Sequence, residues 1–307
     1  MPAKKKIPLY KQRGFHLFLM LLPIMVLVFL LSYLPLQGWR YAFYDYRPGV
    51  PLTPDRFVGF KHFTGMIMDK YMLEDILRVL RNTFAMNLLG IAGSPLPMIF
   101  AIFLSEIKFS PIKRSVQTLT TIPHFISWVL LYAVAFSMFS VSDGLVNRLI
   151  VYFGGDAINF LVSAKNVWVT MWAYGTWKGL GWGAIIYFSA IAGIDQEQYE
   201  AAKIDGAGRF ACIWHVTVPG LLPTYFVLLI LNIASFINTG MEQYFMFQNA
   251  MNKATIEVFD LFVYNVGMTR TNYSYGIAVG MLKSLVSLVL LFSANSLSKL
   301  FREESIF

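Results

Sequence analysis

Two lysines stand in strongly apolar surroundings: Lys178, within Trp177-Lys178-Gly179-Leu180-Gly181-Trp182-Gly183, and Lys283, within the stretch Tyr273 to Leu297. An unpaired cation in hydrocarbon costs at least about 2.5–3.5 kcal/mol, so each must find protein, water or a route to the interface. As functional groups they would meet an anionic solute on a translocation path, with Trp172, Trp177 and Trp182 as flat surfaces for sugar rings. As structural groups, Lys178 would bond backbone carbonyls that glycines leave accessible, and Lys283 would snorkel outward. The structural role is the commoner one. No Asp or Glu falls in the apolar stretches to pair either lysine, which motivates an acidic, uronate-containing solute as the functional alternative. Asn232, Asn238, Glu242, Gln243 and Tyr244 add hydrogen-bonding groups that suit sugar hydroxyls and helix contacts equally.

Bond-breaking chemistry has no residues to carry it. His16, His62, His124 and His215 are scattered without metal-ligand spacing, and Cys212 is the sole cysteine. H-E-x-x-H and G-x-S-x-G are absent, and so is the G-x4-G-K-[ST] phosphate loop. The chain is therefore expected to be no enzyme, to bind no metal or cofactor and to hydrolyse no ATP by itself.

The elements that hold these residues are membrane spans. The 307 residues are 57% hydrophobic and 14% charged, far from a soluble domain, and the net charge of +8 fits bilayer orientation better than nucleic acid. Six segments reach the roughly 20 apolar residues that a spanning helix needs: Phe15 to Leu36, Thr83 to Ser105, Val116 to Val141, Asn166 to Ile194, Val216 to Met241 and Tyr273 to Leu297. The predicted fold is all-α with six transmembrane helices in one domain, residues 15–298, between cytoplasmic tails at 1–14 and 299–307. The first apolar stretch is too long for a signal peptide and lacks an A-x-A site. With both termini inside, twelve Lys and Arg lie on inner segments and eleven on outer ones, but the inner segments are shorter and denser in charge. In the long outer loop, Tyr71 to Leu80 has helical periodicity and is expected to form a short helix on the outer face.

Between the fourth and fifth spans runs GIDQEQYEAAKIDGAGRFACIWHVTVPG, Gly193 to Gly220. Tyr199 to Asp205 favours helix, Gly206 and Gly208 interrupt it, and Arg209 to Val218 resumes an apolar periodicity up to Pro219. Two short helices joined by a glycine turn follow, held at the membrane surface by spans on both sides. Such a unit would rest on headgroups or enter a partner's groove.

Glu200, Ala201, Ala202, Gly206, Val216, Val218 and Pro219 resemble the EAA-x3-G-x9-I-x-L-P signature of permease subunits of binding-protein-dependent ABC importers, with valine at both aliphatic positions. Gly181, Trp182, Gly183, Ile194, Asp195, Tyr199, Asp205, Gly206 and Ala207, with Gly59, Phe60, Phe63, Asn82 and Thr83, are similar to the maltose-permease-like subgroup that imports oligosaccharides. The resemblance implies a type I importer permease fold in a bacterial plasma membrane, with a coupling helix, within residues 195–215, docked on a cytoplasmic ATPase. Glu200 would pair with a basic ATPase residue, Ala201 and Ala202 would allow close approach, Gly206 would permit the turn, and Asp205 would cap locally. It further implies a second homologous permease, two ATPases that hold the ATP and Mg, an extracytoplasmic binding protein, and a carbohydrate cargo. The competing reading, an ion-coupled secondary transporter of small polar solutes, calls for intramembrane carboxylates.

Overall fold

The computed structural model describes residues 13–302, and the side-chain environments of 14–293. The expected tails lie almost wholly outside these residues. Helix α1, Arg13–Val28, continues through a wide turn at Phe29–Tyr33 into a tightened stretch at Leu34–Phe43, giving a 30-residue apolar rod from Gly14 to Phe43. Its large side chains, such as Met20 and Leu31, face outward, as a lipid-clad helix requires.

Helix α2, Lys61–Met68, leads into α3, Lys70–Ala92. The expected short surface helix at Tyr71 to Leu80 is therefore the first part of α3, continuous with the second span. Asp69 starts it, accepting from the amides of Tyr71 and Met72 at 2.9 and 3.1 Å. No proline interrupts it, Gly90 is carried within the helix, and Ile76 and Val79 are buried in a core shared with Phe259, Phe262 and Val279. After the turn at Gly93 comes α4, Leu96–Ser105.

The third expected span is broken. Helix α5, Ser110–Phe125, and α6, Trp128–Phe139, meet at an angle of 110°. Pro123 lacks the N–H that would continue the ladder, and Ser127 restarts it by accepting from the Leu130 amide. A short α7, Leu145–Tyr152, precedes α8, Val167–Ala192. Helix α8 is the axle of the fold and packs against α3, α4, α5 and α11. Gly181 makes the approach to α5 possible, since a Cβ there would stand 2.4 Å from the Thr120 carbonyl.

Beyond α8 come α9, Gln196–Ile204, and α10, Arg209–Cys212, which runs through a wide turn at Ile213–Thr217 into α11, Val218–Ala234. The fifth span thus covers Arg209–Ala234, earlier at both ends than Val216 to Met241, and residues 235–241 leave the helix. The connection that follows is no surface loop. Helices α12, Glu242–Phe247, α13, Lys253–Ile256, and α14, Phe259–Tyr264, fold back into the bundle. Ile256, Val258, Phe259 and Leu261 are fully enclosed there. Irregular backbone at such depth is tolerated only inside protein. Helix α15, Tyr273–Arg302, closes the chain and overruns the expected end of the last span.

Among the described residues, four helices are long and apolar enough to span a membrane, or five if the bent α5–α6 pair is one span, against six expected. The shortfall is α8. Its 26 residues give about 39 Å, ample length, but its Trp, Tyr, Gly and Lys178 dilute the hydropathy of a helix that is sheathed by its neighbours.

Candidate functional site: a glycine elbow and a polar cleft

The segment after α8 is an elbow built on Gly206. Asp195 caps α9, its carboxylate accepting from the Glu197 amide at 3.0 Å. At the other end Gly206 takes φ +83°, and two bonds close the turn: Gly206 N–H to the Lys203 carbonyl at 3.0 Å and Ala207 N–H to the Ala202 carbonyl at 2.9 Å. This is a Schellman C-terminus, with glycine in the left-handed region that side chains disfavour. Asp205 is the last helical-side residue of that turn, its amide bonded to the Ala201 carbonyl at 3.0 Å. The two arms are stapled by Tyr199 Oη and Thr217 Oγ1 at 2.9 Å, and Arg209 pairs with Glu106 after α4 at 3.0 Å.

Glu200, Ala201 and Asp205 face solvent, Ala202 and Ala207 are half-buried, and Pro219 is exposed at the start of α11. Three large apolar residues stand out from the elbow: Ile204, 86% exposed, Phe210, 80%, and Trp214, 70%. The sequence reading passed over these three. Their signal was present, as large apolar residues in the one long polar connection.

A cleft of about 560 Å³ opens among α3, α8, α11 and the unwound residues 235–241. Trp172, Asn232 and Asn238 meet on its wall with Gln243, together with Asn87 and Thr176, which the sequence reading did not single out. The side-chain amides of Asn232 and Asn238 have no hydrogen-bond partner among the described residues, whereas Gln243 Nε2 donates to the Met171 carbonyl at 2.6 Å. Every lining residue is uncharged. An aromatic face, free amides and a size within the usual 300–1,000 Å³ of ligand pockets make a surface for neutral polar groups.

Trp177, Lys178 and Lys283 are not brought to this cleft. Trp177 is exposed on the other side of α8. Lys178 Nζ donates to the carbonyls of Pro123 at 3.0 Å, His124 at 2.9 Å and Ile126, and lies 5.4 Å from the Trp128 ring centre. It answers the carbonyls that the α5–α6 break leaves open, at a helix C-terminus where a cation is favoured. Lys283 neither snorkels nor stands alone, because it pairs with Asp260 of α14. The other Asp260 oxygen accepts from Gly240 N–H at 3.0 Å, so the pair pins the end of the unwound segment. The expectation of intramembrane lysines without a carboxylate fails here, since Asp260 and the buried Glu257 lie in a segment that folds inward after the fifth span. The absence of such carboxylates therefore no longer weighs against a secondary transporter.

Residues 93–303 match the family described as binding-protein-dependent transport system inner membrane component. Protein LplB of Bacillus subtilis (strain 168) is 40% identical over 297 residues, 96% of this chain and 92% of that protein. The polygalacturonan/rhamnogalacturonan transport system permease protein YteP of the same organism is 39% identical, covering 95% of this chain and 90% of that protein. Among solved structures, a chain of a bacterial alginate ABC transporter, in complex with an alginate pentasaccharide-bound periplasmic protein, superposes with a TM-score of 0.84. It is 27% identical, over 96% of this chain and 97% of that one.

Proposed function

From the fact that the chain belongs to the binding-protein-dependent transport system inner membrane components, we propose that it forms half of an import path for an acidic oligosaccharide, driven by ATPases that dock on the elbow. The observation that carries the driving role is the elbow itself. Exposed Ile204, Phe210 and Trp214, with the exposed carboxylates of Glu200 and Asp205 on the same elbow, make an apolar patch edged by negative charge, the surface of a helix that enters a partner's groove. ATP and Mg belong to those partner subunits, the elbow end of the bundle faces the cytoplasm with both termini, and a binding protein delivers cargo at the opposite end.

The mechanism follows from chain continuity. Helices α8 and α11, which leave the elbow on either side, are the ones that carry Trp172 and Asn232 to the cleft. About 30 Å of helix separates Trp172 from Gly193. The Tyr199–Thr217 staple makes the two helices move as one when the elbow is pulled. Closure of the ATPases would then reshape the cleft between this chain and a second permease, in alternating access.

Cargo class is supported by the relatives that carry polygalacturonan or rhamnogalacturonan and alginate. The cleft supplies stacking and amide hydrogen bonds for rings and hydroxyls. Because its lining is uncharged, the sugar carboxylates fall to the second permease. Asn232→Leu combined with Trp172→Leu is expected to raise the half-saturating oligosaccharide concentration about tenfold or more, since each lost aromatic or hydrogen-bonding contact is worth about 1 kcal/mol. Uptake titrations in proteoliposomes check this, and an unchanged half-saturation would remove the cleft from the path.

A further inference from the structure

A second cavity, about 750 Å³, lies between the elbow and the connection from α4 to α5, separate from the cleft. Its wall brings together Lys108, Lys113, Lys203 and Arg209, with Glu106 as the one carboxylate. Arg209 already pairs with Glu106. The ammonium groups of Lys108, Lys113 and Lys203 have no partner among the described residues. Converging cations without counter-charge repel one another, and an anion relieves the repulsion. The kind of anion is indicated by what adjoins the lysines. On the same connection Phe109 is 61% exposed and Ile112 is 52% exposed, so hydrocarbon-seeking side chains alternate with the basic ones. The cavity also stands where α4 ends and α5 begins, at the end of one apolar span and the start of the next.

We propose that this cavity is a site for the phosphodiester headgroup of an anionic phospholipid, its acyl chains lying along Phe109 and Ile112. Basic pockets between helices on the cytoplasmic side take such headgroups. The lipid phosphate sits against Lys203 and Arg209, both parts of the elbow, so the bound lipid ties the elbow to the bundle. Lipid binding at this site does not depend on the ATPase docking proposed above.

The test is native mass spectrometry of the complete importer released from nanodiscs of phosphatidylcholine with phosphatidylglycerol at equal mole fraction. The wild-type complex retains phosphatidylglycerol in preference to phosphatidylcholine. Lys108→Gln with Lys113→Gln lowers that retention about tenfold, given the worth of each basic group near an anionic lipid. Arg148→Gln, a change at an exposed position of helix α7, away from the cavity, leaves retention as it was. The same spectra report subunit occupancy, so a variant that fails to fold or assemble is distinguished from one that has lost the lipid. Equal retention in wild type and the double variant would overturn the proposal. So would displacement by millimolar inorganic phosphate with no preference between the two lipids, which would assign the cavity to a free soluble anion.

Discussion

Gly206→Val is expected to abolish oligosaccharide-stimulated ATP hydrolysis while the spans remain inserted and the permease pair remains assembled. At φ +83° the backbone sits where an L-residue is strained by about 1–2 kcal/mol, and a β-branched one by more. Space is not the limit, because a Cβ at this position would meet nothing within 4 Å. The strain is relieved only by opening the Schellman turn, which frees the carbonyls of Ala202 and Lys203 and turns α9 away from α10. The patch of Ile204, Phe210 and Trp214 is then no longer one surface, since Ile204 lies on one side of the turn and the other two lie beyond it. Gly206→Asn supplies the control, because asparagine tolerates the left-handed region better than other side chains. Measured as hydrolysis by the reconstituted complex, Asn at this position retains most of the stimulation that Val loses. Equal activity of Val and wild type would remove the turn from the coupling path.

Arg78→Met is expected to cost about 3–5 kcal/mol of stability, the usual result of leaving a buried charge without its partner. Glu257 is fully buried, with one oxygen 3.0 Å from Arg78 and the other accepting from Asn265 Nδ2 at 2.7 Å. Its carbonyl accepts from Asn82 Nδ2 at 3.1 Å. This cluster fastens the inward-folded α13–α14 segment to α3, and from there Asp260 reaches Lys283 and Gly240 at the rim of the cleft. Adding Glu257→Gln to Arg78→Met removes the stranded charge and recovers a large part of the loss. Thermal unfolding of the purified permease pair would check both variants, and an unshifted transition for Arg78→Met would mean that the carboxylate is satisfied in some other way.

The elbow was readable because glycine and proline mark backbone geometry directly. Gly206 and Gly208 placed a turn after the first short helix before any contact was known, and the turn is there, but the second arm does not stop at Pro219: it runs from Arg209 through α11 as the fifth span. The bundle's interruptions were harder to read. Pro123 stood inside an apolar run that could pass for a kinked span, and only the neighbouring Lys178 reveals that the carbonyls around it are free to be bonded. Periodicity in Tyr71 to Leu80 was genuine, but it could not say whether the helix stopped at the surface or ran on. The answer depended on burial against α14 and α15. The segment after α11 was illegible for the same reason. Its buried Glu257 is held by Asn82, 175 residues earlier, and Lys283 by Asp260, 23 residues earlier, pairings with no local signature. Of the candidate path residues, Trp172, Asn232 and Asn238 converge because α8 and α11 lie side by side. Lys178 and Lys283 were singled out by cost alone, and cost shows that a charge has a partner without naming it.

The most direct test of the central claim is uptake of a labelled uronate-containing oligosaccharide into proteoliposomes holding this chain, its permease partner, the ATPases and the binding protein. The account predicts accumulation that requires ATP and the binding protein, exceeds that of a neutral oligosaccharide of equal length, and is lost with Gly206→Val. Uptake that persists without ATP and follows an imposed ion gradient would contradict it.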